Sequence, residues 1–570
     1  MNLARISLVA AFVFPAFTHA QQCRFVEESH EPPGGQPFDR IGAAVDIEGM
    51  IAVIGAPQHD SPNVLDIGAA HVYLKSGASW VQQAMLLDPG VRQTNDHFGS
   101  SVALSGETIV VGTPGDNAGG ADRGAIFVFA RSGNTWSPEP VTSSPHSPGS
   151  LFGTSVAIDG NTIVVGAPRQ ATAGTGEVGA AYVFIRSGSV WTLQAQLLAA
   201  DGAHDDEFGT SVAISGNTVL VGAPLEDRDN FPDAGSAYIF TRAGGAWTQQ
   251  AKLTAMDAAP HDSFGFSVAL SGDRAVIGAP NDSNAGGSQA GAAYAFVRTG
   301  ATWGAQAKLT APDAGPTNNF GWSTAIDSSL ALIGAPLAGP SARGKLYTFI
   351  HVSGAVWASQ SINTPSASTS PQHFGWATAV SGNAAIIGAP VANSPDGMST
   401  GEGHMGEVQM GFPVFITQQP ESAVTCAGGS AEFSVVATGT DPLEYVWEIE
   451  ASPMNWLPLS SVPTDLPCGG SATATPSEAT TTVTVVPCTD VSTYQIRAVI
   501  TNVCGSVPTN TVTLTICPAD FNCNGRVNSA DFFNFLTAFF SSLPTADFNN
   551  DALTNSQDFF DFLAAFFAGC

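Results

Sequence analysis

Before residue 412 the chain spells one unit seven times, and a repeated unit of this length has no core until its neighbours cover it. A phenylalanine opens each copy: Phe38, Phe98, Phe152, Phe208, Phe264, Phe320 and Phe374, in steps of 60, 54, 56, 56, 56 and 54 residues. Glycine follows in all but the first, where Asp39 stands. Each copy then reaches Gly-Ala-Pro, at Gly55, Gly166, Gly222, Gly278, Gly334 and Gly388, with Gly112-Thr113-Pro114 in the second. The fourth copy shows the strands. Ser211-Val212-Ala213-Ile214 reads as a first strand and Ser215-Gly216-Asn217 as a tight turn. Thr218 to Val221 is a second, continuously apolar strand that Pro224 ends, since proline cannot donate to a ladder. A polar loop leads to Ser236 to Phe240, and the turn Ala243-Gly244-Gly245 to a fourth strand alternating as Trp247, Gln249, Ala251 and Leu253. Strands apolar on both faces need cover on both sides, and an alternating fourth strand fits an outer edge with one side wet. Four strands per unit, seven times, predict a seven-bladed β-propeller over residues 21–412; the alternative is a long sheet or a solenoid, which needs distinct caps.

Closure is also readable. Trp80, Trp136, Trp191, Trp247, Trp303 and Trp357 each stand about 17 residues before the next phenylalanine. The seventh copy has a candidate third strand, Gly406 to Phe412, and no tryptophan strand after it. Gln21 to Glu28 is therefore expected to supply the missing outer strand. The motifs resemble the FG-GAP repeats of integrin α-chain propellers and of many bacterial secreted proteins. Integrin-type repeats often carry an Asp-x-Asp-x-Asp-Gly calcium loop between their first two strands. Here Ser215-Gly216-Asn217 and Ser271-Gly272-Asp273 occupy that place, so the resemblance carries no calcium ligands into the propeller.

The first twenty residues read as a secretory signal: Arg5, an apolar run from Ile6 to Phe17, and a small-residue cleavage site at Thr18-His19-Ala20. No other stretch has the length and apolarity of a membrane span. A net charge of −29 excludes a basic footprint for nucleic acid. On the propeller the charge sorts by loop. The second-to-third-strand loops and the connections between blades share one face and carry Asp60, Asp66, Asp96, Asp116, Asp122, Asp205, Asp206, Glu207, Asp262 and Asp282. Glu226, Asp227, Asp229 and Asp233 form the densest oxygen cluster, which as a ligand face suits a hard cation; ordinary turn chemistry is the alternative. At the opposite end Lys75, Arg131, Arg186, Arg242, Arg298 and His351 recur at one position, as a cationic ring or as solvated strand ends. His97, His204, His261 and His373 do not all share one repeat position and read as loop residues.

Residues 413–516 change texture. Ala431 to Ala437, Tyr445 to Trp447, Thr480 to Val486, Tyr494 to Thr501 and Thr511 to Ile516 read as short strands at sandwich spacing, with a tryptophan on a central one. Together with the stretches around Cys426 and Cys504, they resemble bacterial immunoglobulin-like domains. Cys426 with Cys504 and Cys468 with Cys488 are the preferred pairs, though four cysteines allow three pairings.

The last stretch, 517–570, holds the sharpest chemistry. Asp520, Asn522, Asn524, Asn528 and Asp531 place oxygens at positions 1, 3, 5, 9 and 12 of a loop, and Arg526 offers its carbonyl at position 7. Asp547, Asn549, Asp551, Leu553, Asn555 and Asp558 repeat this 27 residues later, with Ala552 where the sharp turn favours glycine. The pair resembles dockerin modules, with EF-hand-like loops, Asp at position 12 and one helix after each loop. That resemblance implies bound Ca2+ and a cohesin-like or cell-surface partner. Ser529-Ala530 and Ser556-Gln557 stand where cohesin-binding dockerins commonly have Ser-Thr. Ten phenylalanines follow: Phe532, Phe533, Phe535, Phe539, Phe540, Phe559, Phe560, Phe562, Phe566 and Phe567. Most belong in the module's core, and any exposed remainder forms a partner face. Cys517 with Cys570 is a plausible clasp, which leaves Cys23 and Cys523 paired with each other or free.

The expectation is a mainly β chain: signal peptide 1–20, seven-bladed β-propeller 21–412, immunoglobulin-like β-sandwich 413–516 and a small α-helical calcium-binding module 517–570. The function expected is a secreted or surface-displayed, non-catalytic binding protein for an extracellular protein or glycan. The alternative is an extracellular carbohydrate-active enzyme with a dockerin-like tail.

Overall fold

The computed structural model describes residues 25–30, 36–77, 79–118, 120–142, 146–172, 174, 176–228, 231–365, 372–392, 400–408, 414–426, 429–439, 442–452, 455–466, 471–476, 479–486, 493–502, 505–522, 526–548 and 553–568. The expected signal peptide lies outside them. The chain divides into two compact units, Arg24–Gln409 and one that holds Met410–Cys570.

Arg24–Gln409 contains seven four-stranded antiparallel sheets. The fourth consists of Ser211–Ser215, Thr218–Ala223, Ser236–Ala243 and Ala246–Leu253, in that order. Every residue of Thr218–Ala223 is buried, whereas Ala246–Leu253 is mostly half-exposed. The first strands are Ala44–Glu48, Ser101–Ser105, Ser155–Asp159, Ser211–Ser215, Ser267–Ser271, Ser323–Asp327 and Ala377–Ser381. Each packs against the next, and the seventh packs against the first. The seventh sheet is completed by Phe25–His30, paired antiparallel with Glu402–Val408 so that Phe25 lies opposite Val408. The N-terminal segment thus supplies the outer strand expected of it, a few residues later than the span 21–28.

Apolar residues of consecutive sheets form one core per interface. Leu220, Ile239 and Leu253 of the fourth sheet, for example, join Leu270, Ile277 and Tyr294 of the fifth. The motif phenylalanine of the later sheet plugs each interface; Phe264 is fully buried, edge-on to Tyr294 and Phe296 at 5.4 and 6.1 Å. The first copy departs from the sequence reading. Phe38 is 70% exposed, and fully buried Ile41, followed by Gly42, takes the motif place. Ile41 bridges to Gly401 as Phe98 does to Gly68 and Phe152 to Gly124.

The two glycines of the motif exist because they touch. The N–H of the glycine after each phenylalanine donates to the glycine of the same copy's Gly-Ala-Pro, as Gly209 does to Gly222 at 2.9 Å. A β-carbon on Gly55, Gly112, Gly166, Gly222, Gly278 or Gly334 would overlap the carbonyl oxygen of the next copy's motif glycine. One on Gly388 would overlap Gly42, which closes the series. Serine seals the same contact, Ser211 Oγ donating to the Gly265 carbonyl at 2.8 Å.

The outer strands are tied as well. A β-bulge between the third and fourth strands recurs, as at Ile239/Phe240, and leaves Gln250 out of register. Gln250 then accepts the indole N–H of Trp303 in the next sheet at 3.1 Å. Gln83, Gln194 and Gln306 do the same for Trp136, Trp247 and Trp357 at 2.9–3.0 Å.

In the second unit, Ala423–Thr425, Val512–Ile516, Thr493–Asn502, Glu444–Ser452 and Asn455–Pro458 form one sheet. Ser430–Ser434, Thr480–Val486, Ser471–Pro476 and Thr464–Asp465 form another. Residues of both surround Trp447, which is 2% exposed. Cys426 and Cys517 are each disulfide-bonded. Cys468, Cys488, Cys504, Cys523, Cys570 and Cys23 lie outside the described residues, so the expected pairings are not placed. Helices α1 (Ser529–Phe540) and α2 (Ser556–Ala568) follow. Phe535 and Phe562 stack between them at 3.9 Å, ringed by Phe532, Phe539, Phe559 and Phe566. Phe533, Phe540, Phe560 and Phe567 are 61–80% exposed.

Because the obstacle at Gly222 is backbone, Gly222→Ala is expected to cost about 3 kcal/mol or more. Gly304, with nothing within 4 Å of its β-position, should accept alanine within about 0.5 kcal/mol. Urea unfolding of the two variants checks the contrast.

Candidate functional site

Second-to-third-strand loops and inter-sheet connections lie at one end of the sheets. There the expected oxygen cluster separates. Glu226 is 6% exposed; its Oε2 accepts from Ser236 Oγ at 2.7 Å and its Oε1 pairs with Lys252 Nζ at 2.7 Å. It holds the fold and is not a ligand group. Asp227 Oδ1 accepts the Asp233 N–H at 3.0 Å, the closure Asp60 makes to Asp66 and Asn117 to Asp122. That is turn chemistry. Asp233 also pairs with His261 at 2.8 Å. Asp229 lies outside the described residues.

Asp227 and Asp233 nevertheless line a cavity of about 610 Å³ between the third and fourth copies, with Glu177, Asp205, Glu207, Arg169 and His204. Asp205 and His204 are 71% and 60% exposed and pair at 2.8 Å. Burial raises the Glu207 carboxyl; Arg169, 3.9 Å away, opposes the rise and Asp205 adds to it. Five carboxylates face one arginine and one histidine there, so the cavity suits cationic groups. Asp206 and Asp262, pushed up to about 6 chiefly by burial, lie sealed beneath the loops at 3% exposure.

The recurring cations at the opposite end clasp neighbouring sheets. Arg186, Arg242 and Arg298 reach back to Thr108, Thr162 and Thr218 of the preceding sheet at 3.4, 3.2 and 2.9 Å. Each also lies over its own sheet's tryptophan, 5.1–5.7 Å from the ring centre. Lys75 of the first sheet bonds Glu407 of the seventh at 2.7 Å, and His351 meets Arg274 at 3.3 Å. Arg131 pairs within its own sheet, with Glu107 at 3.8 Å.

Sequence reasoning passed over an aromatic arc. The residue after the motif glycine is Ala43, Ser100, Thr154 or Thr210 in four copies and Phe266, Trp322 or Trp376 in three consecutive ones. Phe266 meets Trp322 at 4.7 Å and Trp322 meets Trp376 at 4.8 Å; all three are half-buried. Arg40 lies 5.3 Å over Trp376, and His373 stacks beside it at 5.9 Å. Burial lowers the His373 imidazole and Arg40 lowers it further. His97 and His373 do share a repeat position, the residue before the phenylalanine. The signal was Phe-Gly-Phe, Phe-Gly-Trp, Phe-Gly-Trp in successive copies.

A second oddity lies on the first strands. Their middle residue is alanine in six sheets and Asp46 in the first. Asp46 Oδ2 accepts the N–H of Leu104 on the neighbouring first strand at 2.6 Å, and Oδ1 that of Ile47 at 2.8 Å. Burial pushes this carboxyl up to about 7 against those two hydrogen bonds, with Glu48 adding repulsion.

In the C-terminal module Asp520, Asp531 and Asp558 are fully buried. Asp531 accepts the N–H groups of Asn522 and Asn528 at 3.0 and 2.9 Å; Asp558 accepts those of Phe548 and Asn555 at 2.8 and 2.7 Å. Asn528 also caps α1. Asn522 Oδ1 is buried without a hydrogen-bond partner, as a hard cation's ligand would be. Arg526, Asp547 and Leu553 are described; Asn524, Asn549 and Asp551 are not.

Five stretches, residues 80–129, 140–184, 191–240, 247–296 and 303–349, match the model of the FG-GAP repeat, and the chain is an FG-GAP repeat protein over them. Most of these windows run from the tryptophan strand of one sheet to the third strand of the next. No curated protein matches the chain. Similar solved structures include a chimeric titin Z1Z2 functionalized with a KLER exogenous peptide from decorin (18% identity, 18% of this chain, 92% of that chain, TM-score 0.13). They also include the titin M10–obscurin like 1 Ig F17R mutant complex (21% identity, 19% and 95% covered, TM-score 0.14). Sidekick-1 immunoglobulin domains 1–5 share 11% identity over 79% of this chain and 86% of that one, with a TM-score of 0.14. TM-scores this low carry nothing about the fold. Among the described residues no helix is long and apolar enough to cross a membrane.

Asp46 gives a pH signature. Its unfolded carboxyl titrates near 4 and its folded one at about 7, so between those values the folded state holds the extra proton. Stability from this group therefore rises as pH falls through 7. Asp46→Asn, which cannot ionise but can accept only one of the two N–H groups, should melt at a temperature that is flat between about pH 5 and 8.5, where that of the wild type falls as pH rises through 7.

Proposed function

We propose that this chain is an extracellular, non-catalytic binding protein. Its seven sheets act as a closed seven-bladed β-propeller whose loop face is the ligand platform; the cyclic packing of the first strands supports that reading. Residues 413–516 serve as an immunoglobulin-like spacer and 517–570 as a dockerin-like module that attaches the protein through bound calcium.

The observation that carries this reading is the 610 Å³ cavity, where Glu177 and Asp205 are exposed and Asp227, also exposed, gives one oxygen to its turn. Its ligand would be an extracellular protein or glycan bearing cationic groups, with the aromatic arc as a further stacking surface. One observation favours the alternative, a carbohydrate-active enzyme: Glu207, its carboxyl raised by burial, sits in that cavity beside Asp205.

An array of extracellular glycans and proteins probed with the full chain tests both. Binding that weakens with salt and is lost in the Glu177→Gln/Asp205→Asn/Asp227→Asn variant is the expected result. Equal binding by that variant would remove the cavity from the function. Reducing sugar released by the wild type and not by Glu207→Gln would establish the enzyme instead. For the tail, calorimetric titration should show Asp531→Ala/Asp558→Ala taking up one calcium ion fewer per loop than the wild type.

A further inference from the structure

Each copy enters its first strand through the same four-residue turn. The N–H of the residue after the motif glycine donates to the carbonyl of the residue before the phenylalanine, from Ala43 and Arg40 in the first copy to Trp376 and His373 in the seventh, at 3.1–3.2 Å. The first strands that start at the next residue pack one against another. Ser100, Thr154 and Thr210 add a hydroxyl bond to that same carbonyl, and Ala43 has no polar group to add. The turn thus forms without an aromatic side chain. Phe266, Trp322 and Trp376 forgo the hydroxyl bond and stand half-buried in three consecutive copies, in contact at 4.7 and 4.8 Å with their rings tilted by 50° and 49°. Four of the seven copies fold without such a ring.

Two observations point to a ligand. In the outer strands Trp136, Trp191, Trp247, Trp303 and Trp357 each donate the indole N–H to a glutamine or glutamate. Among the described residues no acceptor meets the indole N–H of Trp322 or Trp376. Arg40 lies 5.3 Å over Trp376 and is half-buried. Among the described residues its guanidinium has no hydrogen bond and no ion pair, in a chain with a net charge of −29. Burial weighs on that charge with no carboxylate to oppose it. The tryptophan face offsets part of the lost solvation, and an anion would offset the rest.

We propose that Phe266, Trp322, Trp376 and Arg40 form a binding site for an acidic saccharide, with pyranose C–H faces on the rings, hydroxyl oxygens on the two free indole N–H groups and a carboxylate on Arg40. The C–H face of a pyranose is apolar and weakly positive, which suits the negative face of an aromatic ring. The guanidinium fork suits a carboxylate through two parallel hydrogen bonds. A nucleotide would also stack, but its phosphate brings about two negative charges to one arginine in an acidic chain. For the same reason a short acidic sugar fits better than a long polyanion. This assignment rests on the reading of the loop face as a ligand platform, and gives that face a second site whose charge preference is opposite to that of the cavity.

The test is calorimetric titration of the full chain with tetrasaccharides of galacturonate, mannuronate and glucuronate, each also as its methyl ester. At least one acid is expected to bind, and its ester about tenfold more weakly. Arg40→Gln should abolish that preference. Trp322→Ala/Trp376→Ala should weaken acid and ester alike by about tenfold or more. Ala43 shows that the turn accepts alanine, so the double variant should still melt cooperatively; if it does not, Arg40→Gln, which breaks no hydrogen bond, decides. The Glu177→Gln/Asp205→Asn/Asp227→Asn variant should bind the acid as the wild type does, which separates failure of this site from failure of the cavity. No acid bound at millimolar concentration, equal binding of acid and ester, unchanged affinity in the tryptophan variant, or tighter binding of AMP would each overturn the proposal.

Discussion

The contact between two glycines of neighbouring copies sets everything else in Arg24–Gln409. The Gly-Ala-Pro glycine of one sheet lies so close to the motif glycine of the next that no side chain fits between them. That approach fixes how near adjacent sheets come at their inner ends. The phenylalanine beside the second glycine then fills the wedge that opens outward, and tryptophan with a bulged glutamine ties the outer ends. Small residues thus pack where consecutive sheets approach most closely and large ones where they stand further apart. The first copy keeps the glycine, as Gly42, while replacing phenylalanine with Ile41. Of the two, the steric requirement is the stricter.

Charge follows the same economy. Most ionisable groups of the repeat are partnered across sheets or loops: arginine with threonine and tryptophan, lysine with paired carboxylates, glutamate with serine. A net charge of −29 therefore overstates what is free to meet a ligand. The informative carboxylates are the exposed ones that line the cavity of the third and fourth copies.

The architecture was legible because it is written seven times: strand order, the fourth-strand tryptophan and the borrowed N-terminal strand all follow from one period. What failed to read was whatever depends on a single copy or on three dimensions. Phe38 matched the motif letter and missed its place, because spacing alone cannot tell a buried plug from an exposed loop residue. Glu226 looked like a ligand among its acidic neighbours, but Lys252, its partner, lies 26 residues on and arrives only when the fourth strand folds back. Phe266, Trp322 and Trp376 were in plain view, and only the circle makes them neighbours. In the tail, the division of ten phenylalanines into six packed and four exposed required the helix pair.

The pairing of Phe25 with Val408 carries a consequence for how the molecule comes to exist. Among the described strands the first made is paired with one of the last of its unit, so Phe25–His30 has no partner until Glu402–Val408 has been translated. Until then the seventh sheet has an open edge and the earlier sheets form an unclosed arc, both apt to recruit a strand from another chain. Closing so long a loop is slow, yet its entropic cost grows only with the logarithm of its length. Once closed, the two ends of the domain hold each other, and fraying from either terminus must break the same four-stranded sheet.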